Sequence, residues 1–146
     1  MATKRPGTPW MSADEYGAGL EGLGINLLVS DIAASVEFAR SVLGAESVYV
    51  DADFAVLRYG GAEWMLHADH SYEDHPLHGF VAGQEGRGAG AELRLHHCDP
   101  DRAEAAALAG GYTVLAGAAD KPHGLREAFI LDPDGYCWVP DIPLKG

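Results

Sequence analysis

The sequence predicts an α+β fold built from two βαβββ modules, each consisting of a strand, a helix and three further strands. Two stretches carry this prediction, because each reads as a strand, a tight turn, a helix and a glycine stop; they are GINLLVSDIAASVEFARSVLG at 24–44 and AELRLHHCDPDRAEAAALAGG at 91–111. Asp31 and Asp99 occupy equivalent positions in the two copies, and three short strand-like runs follow each helix. The chain therefore repeats one supersecondary unit.

The first module opens with alternating apolar residues, which predict a strand with one buried face: Ile25, Leu27 and Val29. Ser30 or Asp31 is expected to cap a helix at 31–43, and Gly44 is expected to end it in the left-handed conformation. The next three runs are rich in β-branched and aromatic residues and predict an antiparallel meander; they cover 46–50, 54–59 and 63–67.

The second module repeats this order, with a strand at 92–97 and a helix at 101–109 that Asp99 or Asp101 caps. Its remaining strands are predicted at 112–115, 126–131 and 136–139, with the turn sequence Asp-Pro-Asp-Gly at 132–135 before the last one. Pro140 and Pro143 are expected to end the regular structure.

Two segments lack clear periodicity. The segment between the modules holds His70, His75 and His78, and its length favours a lid or a crossover between the halves, with a flexible loop as the alternative. Residues 1–22 predict an irregular N-terminal arm, which is expected to dock through its large apolar groups; these are Trp10, Met11 and Tyr16.

The length and composition of the chain limit the classes of protein to which it can belong. A chain of 146 residues with 47% hydrophobic residues is long enough for one well-buried core, so we expect a single domain at 23–141 with modules at 23–67 and 91–141. A formal net charge of −12 argues against nucleic-acid and anionic-membrane partners and favours neutral or cationic ligands. Two cysteines give no disulfide framework, and no apolar run matches a membrane span or a signal peptide, so a cytoplasmic location is expected.

Two segments of the chain carry a resemblance to a known superfamily. With VSDIAASVEFARSVLG in the first copy and LREAFILDPDGYCWV closing the second, the chain resembles the vicinal oxygen chelate superfamily over residues 23–141. That superfamily includes glyoxalase I, extradiol dioxygenases and bleomycin-resistance proteins. The resemblance implies a glyoxalase-like fold whose mixed sheets form a cup, and a homodimer that completes the cup by exchanging modules or edge strands.

The resemblance also implies where metal ligands would lie. The expected positions fall on Gly24, on Glu92, on Val139 and on either Leu66 or His67. Glycine and valine cannot bind a metal through a side chain, so the candidate ligands that remain are His67 and Glu92. No cofactor is therefore expected to be obligatory, and a divalent metal is the alternative.

Strand alternation predicts which side chains face the cup. If the alternating leucines and valines pack under the helices, polar residues of the opening strands and of the fourth strand point the other way. With Val139 placed inward by the resemblance, Cys137 also points inward. The predicted ligand-binding residues are therefore Asn26, His67, Glu92, Arg94, His96 and Cys137.

Each of these residues also has a structural interpretation. Glu92 and Arg94 lie two residues apart on one strand and could pair with each other, while His67 could be a satisfied rim residue. His96 and the adjacent His97 cannot share a strand face, so at most one of them reaches the cup. Cys137 is either a nucleophile or, more commonly, a buried inert thiol.

The main functional hypothesis is a small-molecule-binding protein, similar to the bleomycin-resistance branch, that takes a neutral or cationic organic ligand without an obligatory metal. The alternative is a divalent-metal-dependent lyase or dioxygenase, which would supplement His67 and Glu92 with substitutes; these are His96, His70 or Asp141. A metal-free enzyme using Glu92 and His96 as acid and base is a third class. The sequence assigns no catalytic residue and does not name the ligand.

Overall fold

The computed structural model describes residues 8–145 of the chain, so residues 1–7 of the predicted arm lie outside it. Eight strands form two separate four-stranded sheets with the orders β1-β4-β3-β2 and β5-β8-β7-β6. The strands are β1 (Asn26–Val29), β2 (Glu46–Val50), β3 (Phe54–Tyr59), β4 (Ala62–Ala68), β5 (Leu93–His96), β6 (Thr113–Asp120), β7 (Leu125–Leu131) and β8 (Cys137–Pro143). The helices are α1 (Ala13–Ala18), α2 (Ile32–Phe38), α3 (His78–Val81) and α4 (Pro100–Ala109). The predicted pair of βαβββ modules is confirmed.

The first module follows its local signals closely. Asp31 caps α2, because its carboxylate accepts a hydrogen bond from the Ala34 N–H at 3.1 Å. The helix continues as a π-helical turn, Ala39–Leu43, and ends at Gly44, whose φ of 76° is left-handed as predicted. Strand β1 runs parallel to β4, and β4, β3 and β2 form the antiparallel meander.

The second module has the same topology with longer strands. Asp99 caps α4 by accepting from the N–H groups of Asp101 and Arg102. Strand β6 continues to Asp120 and β8 continues to Pro143, beyond the ends predicted from the sequence. A proline on β8 removes a ladder donor, but the strand continues through Pro140, which pairs with Leu95 of the parallel neighbour β5.

One core joins the two modules. The helix-facing sides of both sheets contribute to a single cluster of buried residues, in which the rings of Trp64 and Trp138 lie 5.1 Å apart and those of Phe38 and Tyr112 lie 5.0 Å apart. The Cys98 thiol, buried in this cluster, donates to the Leu43 carbonyl oxygen. Residues of both modules therefore share one hydrophobic core.

The segment between the modules is a crossover anchored by one arginine. It contains a 3-10 turn, Asp69–Tyr72, and the short helix α3. The guanidinium of Arg87 donates two hydrogen bonds of 2.8 Å to the Asp69 carboxylate and one of 3.0 Å to the Leu28 carbonyl oxygen. The Arg87 N–H also donates to the Asp134 carbonyl oxygen, so the crossover is tied to both modules.

The sequence predicts an irregular arm, and this prediction is wrong for part of it. Residues 13–18 form α1, which begins with a capping box between Ser12 and Glu15. The helix has six residues and buries none of them fully. An isolated helix of this length is marginal in water, so contacts with the rest of the chain must hold it.

Candidate functional site

The two sheets each turn one face away from the helices, called here the outer faces. On β4, Trp64 and Leu66 lie in the shared core, so Met65 and His67 lie on the outer face of the first sheet, as predicted. Asn26 is the neighbour of Met65 across the parallel pair. On the second sheet, Leu93, Leu95 and Trp138 face the core, which places the residues between them on its outer face; these are Arg94, His96, Cys137, Val139 and Asp141.

The N-terminal arm covers part of the outer face of the first sheet, and the two line a partly open cavity of about 210 Å³. One wall comes from the arm and the other from β1, β3 and β4. The residues that line this arm cavity are Pro9, Trp10, Met11, Ser12, Ala13, Tyr16, Gly17, Leu20, Asn26, Phe54, Met65 and His67. Two residues that the sequence predicted to bind a ligand, Asn26 and His67, therefore lie in one cavity.

Aromatic contacts and one hydrogen bond position the arm. The Trp10 ring stacks on Tyr49 of β2 at 5.6 Å and meets the edge of Tyr16 at 5.2 Å. The Tyr16 hydroxyl donates a 2.7 Å hydrogen bond to the Glu63 carboxylate on β4. Burial and this bond raise the pKa of Tyr16 to about 12, and the same bond lowers the pKa of Glu63.

The arm cavity has the composition of a small-ligand site. Aromatic rings and two methionines line it together with the polar side chains of Ser12, Asn26 and His67, and the His67 ring lies 5.0 Å from that of Phe54. Tyr16 and its partner Glu63 place a negative charge beside it, which disfavours an anion. The arrangement can hold a planar neutral or cationic group, because such groups stack on aromatic faces.

The outer face of the second sheet carries a network of charged side chains centred on Arg94. Its guanidinium donates to the carboxylates of Glu92 at 2.7 Å, Glu127 at 3.0 Å and Asp141 at 3.1 Å. Two imidazoles complete the network: His96 contacts Asp141 through Nδ1 at 2.8 Å, and His123 contacts Glu127 through Nε2. These six residues are called the Arg94 network; they are Glu92, Arg94, His96, His123, Glu127 and Asp141.

Burial divides the Arg94 network into two layers. The side chains of Asp141 and Glu127 are 1% and 3% exposed, whereas those of His96 and His123 are 65% and 54% exposed. Burial raises the pKa of Glu127, but hydrogen bonds from Arg94 and His123 outweigh that effect, so the pKa lies below its ordinary value. Three carboxylates against one guanidinium leave this face negative when the imidazoles are neutral.

Cys137 belongs to neither group. It lines a shallow groove with Phe129 and Leu131 on the same sheet face. Burial and the nearby charge of Glu92 raise the pKa of its thiol, which disfavours the thiolate that a nucleophile needs.

The four positions where the resemblance expects metal ligands do not fit a metal. Gly24 has no side chain, and Val139 is fully buried and apolar. Of the two candidates with donor atoms, His67 lies on β4 of the first sheet and Glu92 directly precedes β5 of the second. Within residues 8–145, no group of three or more His, Cys, Asp or Glu side chains is placed to hold a metal ion.

The structure thus divides the residues that the sequence predicted as one site. Asn26 and His67 lie in the arm cavity, while Glu92, Arg94 and His96 belong to the Arg94 network, where Glu92 and Arg94 pair as the structural interpretation expected. Sequence reasoning missed His123 and Glu127, and considered Asp141 only as a substitute metal ligand. Alternation along β7 and β8 could have placed Glu127 and Asp141 on the outer face, but no pattern marks His123, which lies in a loop.

Comparison with known proteins gives a family match and structural neighbours. Residues 23–139 match the family model described as the Glyoxalase/Bleomycin resistance protein/Dioxygenase superfamily. None of the curated proteins compared with the chain is significantly similar to it in sequence. Among the helices at 8–145, none is long and apolar enough to span a membrane.

Solved structures share the fold at low sequence identity. A glyoxalase/bleomycin resistance protein/dioxygenase family enzyme from Burkholderia phytofirmans PsJN is 22% identical, with a TM-score of 0.68 over 82% of this chain and 96% of that chain. TioX from Micromonospora sp. ML1 is 19% identical, with a TM-score of 0.61 over 86% and 98%. A glyoxalase-related enzyme from Fulvimarina pelagi is 19% identical, with a TM-score of 0.65 over 84% and 88%.

Proposed function

Because the chain belongs to the glyoxalase/bleomycin resistance protein/dioxygenase superfamily, whose fold serves both enzymes and resistance proteins, we propose that it binds a small organic molecule in the arm cavity. The ligand is neutral or cationic, and no metal is required. One observation carries the proposal: the arm places Trp10 and Tyr16 opposite Asn26 and His67 around one cavity.

The size of the cavity supports a ligand built on a single ring. A cavity of about 150 Å³ lined by apolar residues binds benzene. At about 210 Å³, the arm cavity has room for a ring with one short substituent. The side chains of Asn26 and His67 can hydrogen-bond that substituent, while Trp10 and Phe54 contact the ring.

The charge of the protein favours a neutral or cationic ligand over an anionic one. The chain has a formal net charge of −12, and the ionised Glu63 lies against the Tyr16 wall. An anion would approach against this field, whereas a cation would be attracted and could interact with the aromatic rings.

A matched set of three single-ring compounds tests the proposal: neutral benzyl alcohol, cationic benzylamine and anionic benzoate. Each is titrated against the full chain by thermal shift in the presence of EDTA. We expect the first two to stabilise the protein in a concentration-dependent manner and benzoate to have no effect. Equal stabilisation by all three, or by none, would contradict the proposal.

Variants of the arm then locate the site without disturbing the core. Trp10→Ala should weaken binding about twofold to tenfold, since an aromatic contact contributes about 0.5–1.5 kcal/mol. Leu115→Ala, which removes an exposed apolar residue of the second sheet, is the control and should change nothing. If instead stability and turnover require one equivalent of a divalent metal, a metal-dependent lyase or dioxygenase replaces this proposal.

A further inference from the structure

A second cavity lies between the two modules. One wall comes from β4 and the residue before β1, and the other comes from β5, the residue before it and β8. Its volume is about 150 Å³. This seam cavity is lined by Ile25, Ala62, Glu63, Trp64, Glu92, Leu93, Arg94, Leu95 and Trp138. Among the residues that the structure describes, none lines both the seam cavity and the arm cavity.

The buried part of the seam cavity is apolar. Trp64 and Trp138 are buried, and their rings lie 5.1 Å apart. The charged lining residues are partly exposed, and each already has an ion-pair partner; they are Glu63, Glu92 and Arg94. A charged ligand would lose its hydration among apolar walls whose neighbouring charges are already paired, which costs free energy. The seam cavity therefore favours an uncharged molecule.

The two tryptophans are equivalent residues of the internal repeat. Trp64 lies on β4 and Trp138 on β8, the last strand of each module. The residue after Trp64 pairs with Asn26, and the residue after Trp138 pairs with Arg94. Asn26 and Arg94 correspond because they lie the same number of residues before the helix caps of their modules. The surroundings of the two indole rings can therefore be compared directly.

The indole N–H has a hydrogen-bond partner in the second module but not in the first. Nε1 of Trp138 donates to the Asp132 carboxylate at 3.2 Å, and Asp132 belongs to the turn before β8. The corresponding turn before β4 consists of Gly60 and Gly61, which offer no side-chain acceptor. Trp64 is 5% exposed, and within residues 8–145 its buried Nε1 has no hydrogen-bond partner.

The unpaired N–H of Trp64 points to a bound molecule. Buried polar groups of folded proteins are almost always hydrogen-bonded, and leaving one unpaired costs free energy. The indole N–H can only donate, so only an acceptor can satisfy it. Because Trp64 lines the seam cavity, a molecule held there can supply that acceptor.

We infer that the seam cavity binds a small uncharged molecule whose carbonyl or ether oxygen accepts a hydrogen bond from Nε1 of Trp64. The volume limits this ligand to about six heavy atoms, since an apolar cavity of about 150 Å³ binds benzene. Small ketones, esters and cyclic ethers meet both conditions. Carboxylic acids and amines do not, because they are charged at neutral pH. This site is independent of the proposed function, which concerns the arm cavity.

Cyclopentanone and methylenecyclopentane form a matched pair that tests the inference. They have nearly the same shape, but only the ketone has an oxygen that accepts a hydrogen bond. Each compound is titrated against the full chain, and binding is followed by proton–nitrogen NMR of the indole groups. Cyclopentanone should shift the Trp64 Nε1–H signal downfield and bind about fivefold more tightly than the hydrocarbon, because a typical hydrogen bond contributes about that factor.

Trp138 is the internal control, because its indole N–H is already bonded to Asp132. Its N–H signal should move less than that of Trp64. A Trp64 signal that stays in place, as it would if water alone occupied the cavity, would overturn the inference. Equal affinities for the ketone and the hydrocarbon would also overturn it.

Two variants assign the preference for the ketone to Trp64. Trp64→Phe removes the donor and keeps an aromatic ring, so it should bind both compounds with equal affinity. Tyr112→Phe removes a hydroxyl group from an aromatic residue outside the lining of the seam cavity, and it should keep the wild-type preference. Loss of the preference in both variants would contradict the assignment. If Trp64→Phe does not fold, the wild-type Trp64 signal still decides the question.

Discussion

Tyr16 and Glu63 show how a single polar contact can tie the arm to the first sheet. The Tyr16 hydroxyl donates to a carboxylate that also accepts from Arg58, so the contact combines a neutral donor with an existing ion pair. The pKa of Glu63 is lowered, chiefly by the hydrogen bond from Tyr16. A depressed carboxyl pKa stabilises the folded state above the unfolded pKa, and that contribution is lost as the pH falls through the folded value.

Replacing Tyr16 with Phe should therefore raise the pKa of Glu63. The free energy of unfolding should then decrease less on acidification than it does in the wild type. Carboxyl-carbon NMR titration of Glu63 measures this directly. Tyr59→Phe is the control, because the Tyr59 hydroxyl donates to the His97 carbonyl oxygen and not to a carboxylate. An unchanged Glu63 pKa in Tyr16→Phe would mean that the arm does not dock as described.

Glu127 and Glu92 both pair with Arg94 but differ in burial. Glu127 is buried and accepts from Arg94 and His123, whereas Glu92 is half exposed. Glu127→Gln should lower the free energy of unfolding by about 1.5–3 kcal/mol, since it weakens charge-assisted bonds in a buried setting. Glu92→Gln should cost less than about 1 kcal/mol. Urea denaturation at neutral pH compares them, and equal losses would contradict the layered description of the network.

At the scale of elements, local signals predicted helices well where a cap and a spaced apolar face coincide. Helix α2 begins after its Asp31 cap, and the π-helical turn that continues it ends at Gly44. Both signals depend only on residues that are neighbours in sequence, so they could be predicted. Helix α1 was missed although Ser12 and Glu15 carry a capping-box pattern. The stability of α1 depends on its contacts with strands that are distant in sequence. The local sequence pattern carries no information about those contacts.

Helix α1 should consequently be sensitive to its cap. Ser12→Ala removes the side chain that accepts from the Glu15 N–H at 3.1 Å, a loss of about 1 kcal/mol in comparable caps. Hydrogen exchange of the α1 amides should then quicken about fivefold. Ser41→Ala, which removes a bond to the Glu37 carbonyl oxygen in the first module, should leave α1 exchange unchanged. Identical exchange in Ser12→Ala and the wild type would show that the cap does not hold the helix.

For the whole molecule, the internal repeat predicted the fold but not how the modules pack. Alternation predicted that His67 of the fourth strand lies on the face away from the helices, and it lies on the outer face of the first sheet. It could not show that Asn26 and His67 share the arm cavity while His96 lies in a separate network. That division depends on how the helix-facing sides of the two modules pack against each other. The alternation of residues along a single strand does not specify this packing.

A homodimer remains the prediction for the oligomeric state. Apolar side chains such as Leu23, Phe80 and Leu20 are exposed in the single chain. Light scattering at micromolar concentrations should return twice the 15.5 kDa mass of the chain. A constant monomer mass across that range would contradict it.

The central claim is that a ligand occupies the space between the arm and the first sheet, and two methionines report on it from opposite walls. Met11 lies on the arm and Met65 on β4, and both line the cavity. Methyl NMR of methionine-labelled protein, titrated with benzylamine in EDTA, should shift both signals together with one dissociation constant. If benzylamine stabilises the protein but leaves Met11 and Met65 unmoved, or shifts them only after a divalent metal is added, the claim is wrong.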